Sequence, residues 1–202
     1  MSKSPVIARA GTVTWTVLVL AVALTLWTNF GDNRARLLDF LFLPAAMGEG
    51  EIWRVWTPAF LHFSLWGSPV FHILFNGLWW FLFAGLVEST FGRLALVLFF
   101  LVSAAVSNLA AWAAYGPLFG GLSGVVYALT GFVWLWGFKR RDYRLAMPHT
   151  LMAFFVAFML AGWLGLVGGM ADYAHIAGLG AGLLFAAVMM VGQHIIDKKS
   201  PY

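Results

Sequence analysis

The sequence predicts an all-α polytopic membrane protein. Six helices cross the bilayer, both chain ends lie in the cytoplasm, and the first long connection is embedded in the membrane. Three observations carry this reading. Of 202 residues, 62% are hydrophobic and only 10% charged, against about a quarter charged in a soluble domain, and the mean hydropathy is +0.86. Six apolar runs approach the roughly 20 residues that a spanning helix requires. The basic residues collect on one side of those runs. There are no cysteines, which excludes disulfides, thiolate metal sites and cysteine nucleophiles. Because the basic residues sit at membrane edges, the net charge of +4 is no sign of a nucleic-acid partner.

The chain reads as a single domain over 1–202. Its first run, 12–30, is long for the apolar core of a signal peptide and lacks a small-residue cleavage site, so it is expected to span. Residues 31–70 join it to the next span. Within them Leu37–Leu43 and Ile52–Trp56 are too short to cross, and their aromatics and scattered charges suit short helices in the headgroup layer. They serve either as an interfacial spacer or in substrate access. Pro44, Pro58 and Pro69 punctuate the segment. Spans over 71–88, 94–114 and 122–138 follow, then 149–169 and 173–193, with Gly168–Asp172 supplying the last turn.

Six spans put Lys3, Arg9, Arg93, Lys139, Arg140, Arg141, Arg144, Lys198 and Lys199 on one side and only Arg34, Arg36 and Arg54 on the other. The positive-inside rule then places both termini in the cytoplasm. The second, fourth and sixth spans run inward from the outer side.

Those three spans begin with polar residues that hydrocarbon disfavours. His72 and Asn76, four apart, share one helix face. Both are donors suited to an oxyanion, or else to bonds between packed helices. Ser123 opens the fourth span, either as a helix cap or as a nucleophile. Gly121 and Gly124 beside it leave room for close backbone approach, and a helix N-terminus favours an anion. The surroundings are not a G-x-S-x-G elbow, since position 125 is valine. His175 opens the sixth span, sharing a face with Gly178 and Gly182, whose spacing lets a neighbouring backbone come close. Proton relay and metal ligation are its alternatives. With no H-E-x-x-H motif and no carboxylate cluster at that depth, neither a metal nor a cofactor is expected.

Tyr127 lies four residues beyond Ser123, either stacked on a histidine or packed in the core. Asp172, in the turn before the sixth span, is not expected to complete a triad. His62, His149 and His194 read as interface residues, and Glu88 as a structural hydrogen-bonding or snorkelling group. Trp79 and Trp80 of the second span and Phe154, Phe155 and Phe158 of the fifth are either lipid-facing or the two sides of a lateral gate.

Taken in order, Trp53-Arg54, His72-x-x-x-Asn76, Gly121-x-Ser123-Gly124, Tyr127 and Ala174-His175-x-x-Gly178-x-x-x-Gly182 resemble the rhomboid intramembrane serine proteases, most closely the small six-helix bacterial type. The resemblance runs from Trp53 nearly to the end. It implies a Ser123–His175 dyad without an aspartate and an oxyanion hole from His72, Asn76 and the Ser123 amide. It also implies substrate entry along the face bearing Trp79, and a bacterial inner-membrane location. The partners it implies are transmembrane protein substrates and the lipid bilayer; no motif specifies an oligomeric state. The link Trp66–His72 is about five residues longer than the family's usual one, a change at 67–71 expected to alter the cavity mouth. A dozen-residue tail before the first span leads to the expectation of a minimal catalytic core. A catalytically dead relative acting as a chaperone, or a small transporter, are the alternatives; the intact Ser123, His175 and Asn76 speak against the first, and the scarcity of charges within the spans against the second.

Overall fold

The computed structural model describes residues 9–199, with side chains to residue 193. Among them are nine α-helices: α1 (Thr12–Trp27), α2 (Arg34–Leu38), α3 (Pro44–Gly48), α4 (Phe71–Phe91), α5 (Arg93–Tyr115), α6 (Ser123–Trp136), α7 (Arg141–Ala146), α8 (His149–Trp163) and α9 (Asp172–Lys199). Three, α4, α5 and α9 to Gln193, are long and apolar enough to cross a membrane. Helices α1, α6 and α8 are equally apolar but shorter, at 16, 14 and 15 residues. At about 1.5 Å per residue, α6 rises only about 21 Å, less than the roughly 30 Å hydrocarbon core.

Helix α6 is the centre of the bundle. It is buried without a break from Gly124 to Val133 and packed by α4, α5, α8 and α9. Its closest partner is α9, because a Cβ on Gly178 or Gly182 would collide with the carbonyl oxygens of Gly124 and Ala128 respectively. The short α6 follows a non-helical descent from Gly116, and the first long connection satisfies that backbone. Gly121 N–H donates to Pro58 O at 3.0 Å and Leu122 N–H to His62 Nε2 at 3.3 Å. Irregular backbone is tolerated inside a membrane protein where other protein groups meet its hydrogen-bonding needs.

Several boundaries differ from the sequence expectation. α1 stops at Trp27, as Asn29 and Phe30 turn at φ of 49° and 54°. α8 stops at Trp163 rather than 169, where Gly165 at φ +72° reverses the chain. The helix expected over 37–43 instead occupies Arg34–Leu38. Asn33 starts it by accepting from Arg36 N–H at 3.2 Å. Arg54 then captures the carbonyls of Leu38 and Leu41, at 2.5 and 3.2 Å, so the chain leaves the helical path. Ile52–Val55 and Thr57–Phe60 form 3₁₀ turns. Trp56 Nε1 donates to Leu101 O at 2.9 Å and Asn108 Nδ2 to Val55 O at 2.8 Å, so the connection is stitched to α5 rather than free.

Glu88 takes the structural role rather than the snorkelling one. Its carboxylate accepts from Val13 N–H, Thr14 N–H and Thr14 Oγ1 at 3.0, 2.8 and 2.7 Å. It therefore supplies the missing partners of the α1 N-terminus, where a negative charge is favourable.

Candidate active site

Ser123 is the first helical residue of α6, with Leu122 in the cap position and no side-chain cap bond. Its hydroxyl is thus free of the capping role, and Ser123 Oγ lies 2.9 Å from His175 Nε2. The contact bridges α6 and α9 across 52 residues of sequence, and the glycine-mediated approach of those helices makes it possible. The His175 ring is stacked on Tyr127, with centroids 4.6 Å apart and planes 24° apart. Tyr127 is held in turn by donating its hydroxyl to Phe155 O at 3.0 Å. Stacking fixes the imidazole plane, and the hydroxyl bond fixes the phenol.

His72 and Asn76 reach the same place from α4. Gly121 stands between them and Ser123 at φ +122°, where a Cβ would lie 2.7 Å from His72 Nε2 and 3.5 Å from Asn76 Nδ2. Only a residue without a side chain lets the descending backbone pass so near. Asn76 Nδ2 is buried with no hydrogen-bond partner, an unusual condition for an amide, since buried polar groups are nearly always paired. His72 Nδ1 is 3.3 Å from Phe63 O. A carbonyl only accepts, so that nitrogen carries the proton and Nε2 is left facing the site. All four residues line one cavity of about 400 Å³, whose walls also include Phe63, Leu118 and Met170. Gly124 abuts Ser107 of α5, where an added Cβ would meet Ser107 Oγ at 2.7 Å.

The structure departs from the sequence reading at several side chains. His62 is not an interface residue; it is fully buried with its ring 4.8 Å from that of His72. Burial, together with the His72 ring, holds it well below the usual imidazole range. It is therefore neutral, accepting from Leu122 N–H at Nε2 and contacting Thr25 Oγ1 through Nδ1 at 3.3 Å. Its signal in the sequence is weak, a histidine within the short apolar run Ala59-Phe60-Leu61-His62-Phe63. Asp172 belongs to α9 itself as its first residue. His149, at the start of α8, accepts from Trp134 Nε1 at 3.1 Å. His194 lies outside the described side chains.

On the flank between α4 and α8 the contacts are aromatic. Trp79 meets Phe155 at 5.0 Å, and Phe158 meets Phe75 at 5.8 Å. Trp80 faces the other way, donating its indole N–H to Thr14 O of α1 at 2.9 Å. Phe154 is 46% exposed and touches the rings of Phe155 and Phe158 on its own helix. Phe75, not singled out in the sequence, and Trp66, named there only as the start of the long link, complete the seam. Leu65 and Ser68 exchange both backbone hydrogen bonds at 3.0 Å, and the tight turn between them projects Trp66 onto Phe158 at 6.1 Å. The Trp66 indole N–H also donates to Gly168 O at 2.9 Å. Leu65 before this turn, Phe71 after it and Gly169 beyond α8 all line the cavity.

A family model of the Rhomboid domain matches residues 49–192, which include every residue of this cavity. The chain is similar to the Rhomboid protease GlpG of Pectobacterium atrosepticum, at 41% identity over 179 residues. That match covers 88% of this chain but 63% of the relative, so the chain spans somewhat less than two thirds of that protein's length. With the domain matched across most of the sequence, the chain belongs to the rhomboid family.

Proposed function

We propose that this protein is an intramembrane serine endopeptidase that hydrolyses peptide bonds in or near transmembrane segments of other membrane proteins. The observation that carries the reading is the 2.9 Å contact between Ser123 Oγ and His175 Nε2, at the edge of a cavity that also holds an unpartnered amide donor. Ser123 attacks the scissile carbonyl carbon while Nε2 of His175 takes the hydroxyl proton. The carbonyl π pair moves onto oxygen. Collapse breaks the C–N bond, and His175 returns the proton to the leaving amine. Water, deprotonated by the same imidazole, then adds to the acyl carbon, and as the C–Oγ bond breaks the proton returns from Nε2 to Ser123 Oγ.

Three donors serve the oxyanion: the Ser123 amide, Asn76 Nδ2 and His72 Nε2. They are not equivalent. Asn76 donates in any state, whereas His72, with its Nδ1 proton held toward Phe63 O, donates through Nε2 only as the imidazolium. Removing one oxyanion donor costs about 10²–10³ in rate, so Asn76→Ala cripples turnover, while Ser123→Ala abolishes it.

The proposed topology is six spans, with α1, α6 and α8 joining the three longer helices, both termini cytoplasmic and the cavity opening on the outer face of a bacterial inner membrane. The lysine and arginine distribution supports it. Substrate enters through the aromatic seam of α4 and α8 and unwinds locally, since a helical carbonyl is already bonded and shielded. Small or helix-breaking residues near the cleavage point should therefore favour hydrolysis. The deciding experiment is labelling by a fluorophosphonate probe. Labelling of the wild type that vanishes in both Ser123→Ala and His175→Ala is the expected result; labelling that persists in Ser123→Ala refutes the assignment.

A further inference from the structure

Once Nε2 of His175 is committed to Ser123, the other ring nitrogen has to be accounted for. Nδ1 is buried without a hydrogen-bond partner, and so is Oδ1 of Asp172. The two orphans face each other 4.0 Å apart on one side of α9, three residues apart in sequence and so on adjacent turns. The carboxylate sits against α8 at Gly162, where an added Cβ would run into Asp172 Oδ1; glycine there leaves its berth open. Unpaired buried donors and acceptors are few in native proteins, and two of them aimed at one another at the reacting histidine call for an explanation.

We propose, on the serine-protease reading above, that Asp172 is a positioning residue for His175. It accepts the Nδ1–H when the ring takes the Ser123 proton. The distance is too long for a hydrogen bond in the resting state, and hydrogen bonds between catalytic groups commonly tighten only once the reaction complex forms. A shift of about 1 Å brings the pair to the roughly 2.7–2.9 Å of a charge-assisted bond. No proton is transferred to Asp172. The proton travels from Ser123 Oγ to His175 Nε2 and on to the leaving amine, while the carboxylate stays ionised, fixes the Nδ1–H tautomer and offsets the imidazolium charge.

The other groups around His175 do not substitute for it. α6 contributes Ser123 and the face of Tyr127, and α4 contributes His72, a second imidazole. α5 contributes Tyr115, whose hydroxyl accepts from Tyr173 N–H at 3.5 Å. Among the described residues packed here, Asp172 alone carries negative charge. The alternative role for Asp172 is a helix-starting acid that complements the α9 dipole, and that role affects stability rather than turnover.

The test compares the full chain in detergent micelles as wild type, Asp172→Asn, Asp172→Glu, Asp172→Ala and Ser123→Ala. It measures the fluorophosphonate labelling rate, kcat and KM on a membrane-embedded substrate, and Tm. The expected result is a fall in kcat and labelling rate of roughly tenfold or more in Asp172→Asn, in keeping with loss of an aspartate that orients a catalytic histidine. KM and Tm stay close to wild type, and Asp172→Glu recovers part of the rate. Should Asp172→Asn not purify folded, Asp172→Ser, which keeps a helix-starting side chain, serves for the same comparison. Asp172→Asn turning over like the wild type, or Asp172→Glu no better than Asp172→Ala, overturns the inference while leaving the serine-protease reading intact. A wild type that is not labelled overturns that reading itself.

Discussion

Replacing Gly121 by alanine tests whether the descending backbone governs the oxyanion donors. The new Cβ would lie 2.7 Å from His72 Nε2 and 3.0 Å from Cε1, where ordinary contact begins at 3.4 Å, so it is about 0.7 Å too close. The imidazole yields only by giving up its present contacts. The His62 ring is 4.8 Å behind it and Phe63 O holds Nδ1. In addition, φ of +122° is open essentially to glycine alone, and forcing a side chain into it costs of order 1–3 kcal/mol. Two losses follow. Stability to denaturant falls by about 1–3 kcal/mol, and displacement of His72 lowers kcat by about 10²-fold, the effect of losing one oxyanion donor. Denaturant titration and steady-state cleavage in the same detergent measure both. Residues acting as one unit are not additive, so Gly121→Ala/His72→Ala should be no slower than His72→Ala alone. A Gly121→Ala protein with lowered stability and wild-type kcat, or a double mutant much slower than either single one, refutes the reasoning.

Truncating Glu88 to alanine strips the α1 N-terminus of three hydrogen bonds to a charged acceptor. At roughly 1.5–3 kcal/mol for a bond of that kind, a loss of at least about 2 kcal/mol in stability is expected. Turnover per folded molecule, normalised by active-site titration, stays unchanged. Phe155→Ala and Phe158→Ala, which open the contacts to Trp79 and Phe75, should speed cleavage of membrane-embedded substrates more than that of soluble peptides; equal effects on both count against lateral entry. His62 is held neutral when folded, so the unfolded chain binds more protons below about pH 6.5 and stability rises with pH across that window. Accordingly, the wild-type Tm should drop as pH falls through it, and His62→Gln should drop less; parallel curves would deny His62 that role.

Polar side chains in an apolar sequence are conspicuous, and so Ser123, His175, His72 and Asn76 stand out by residue type alone. Their helical spacing even assigns them faces. What the sequence conceals is partnership across the chain. Nothing local to Leu61-His62-Phe63 announces that the imidazole will lie beneath that of His72. Trp79 and Trp80 follow Asn76 by three and four residues, both near its face of α4, so helical spacing does not reveal that one meets α8 and the other α1. Phe75 and Trp66 acquire their places only when α4, α8 and the Leu65–Ser68 turn come together. The overlong reading of α8 has a related cause: Leu164, Leu166 and Val167 are as hydrophobic as the helix before them, and hydropathy does not register the reversal at Gly165.

The contact of α9 with α6 through Gly178 and Gly182 has a mechanical corollary. With backbone set against backbone, no cushion of side chains remains to be compressed, and the two helices bearing Oγ and Nε2 move as a stiff unit. α8 buries only Phe155, Met159 and Gly162 and leans on its neighbours through rings that can change rotamer. Compliance is thus graded rather than uniform: the α6–α9 spine holds the reacting atoms in register, while the proposed entry wall of α8 is tied to it through the Tyr127 hydroxyl and Phe155 O, so that a displacement of α8 at Phe155 is felt by the phenol stacked on His175.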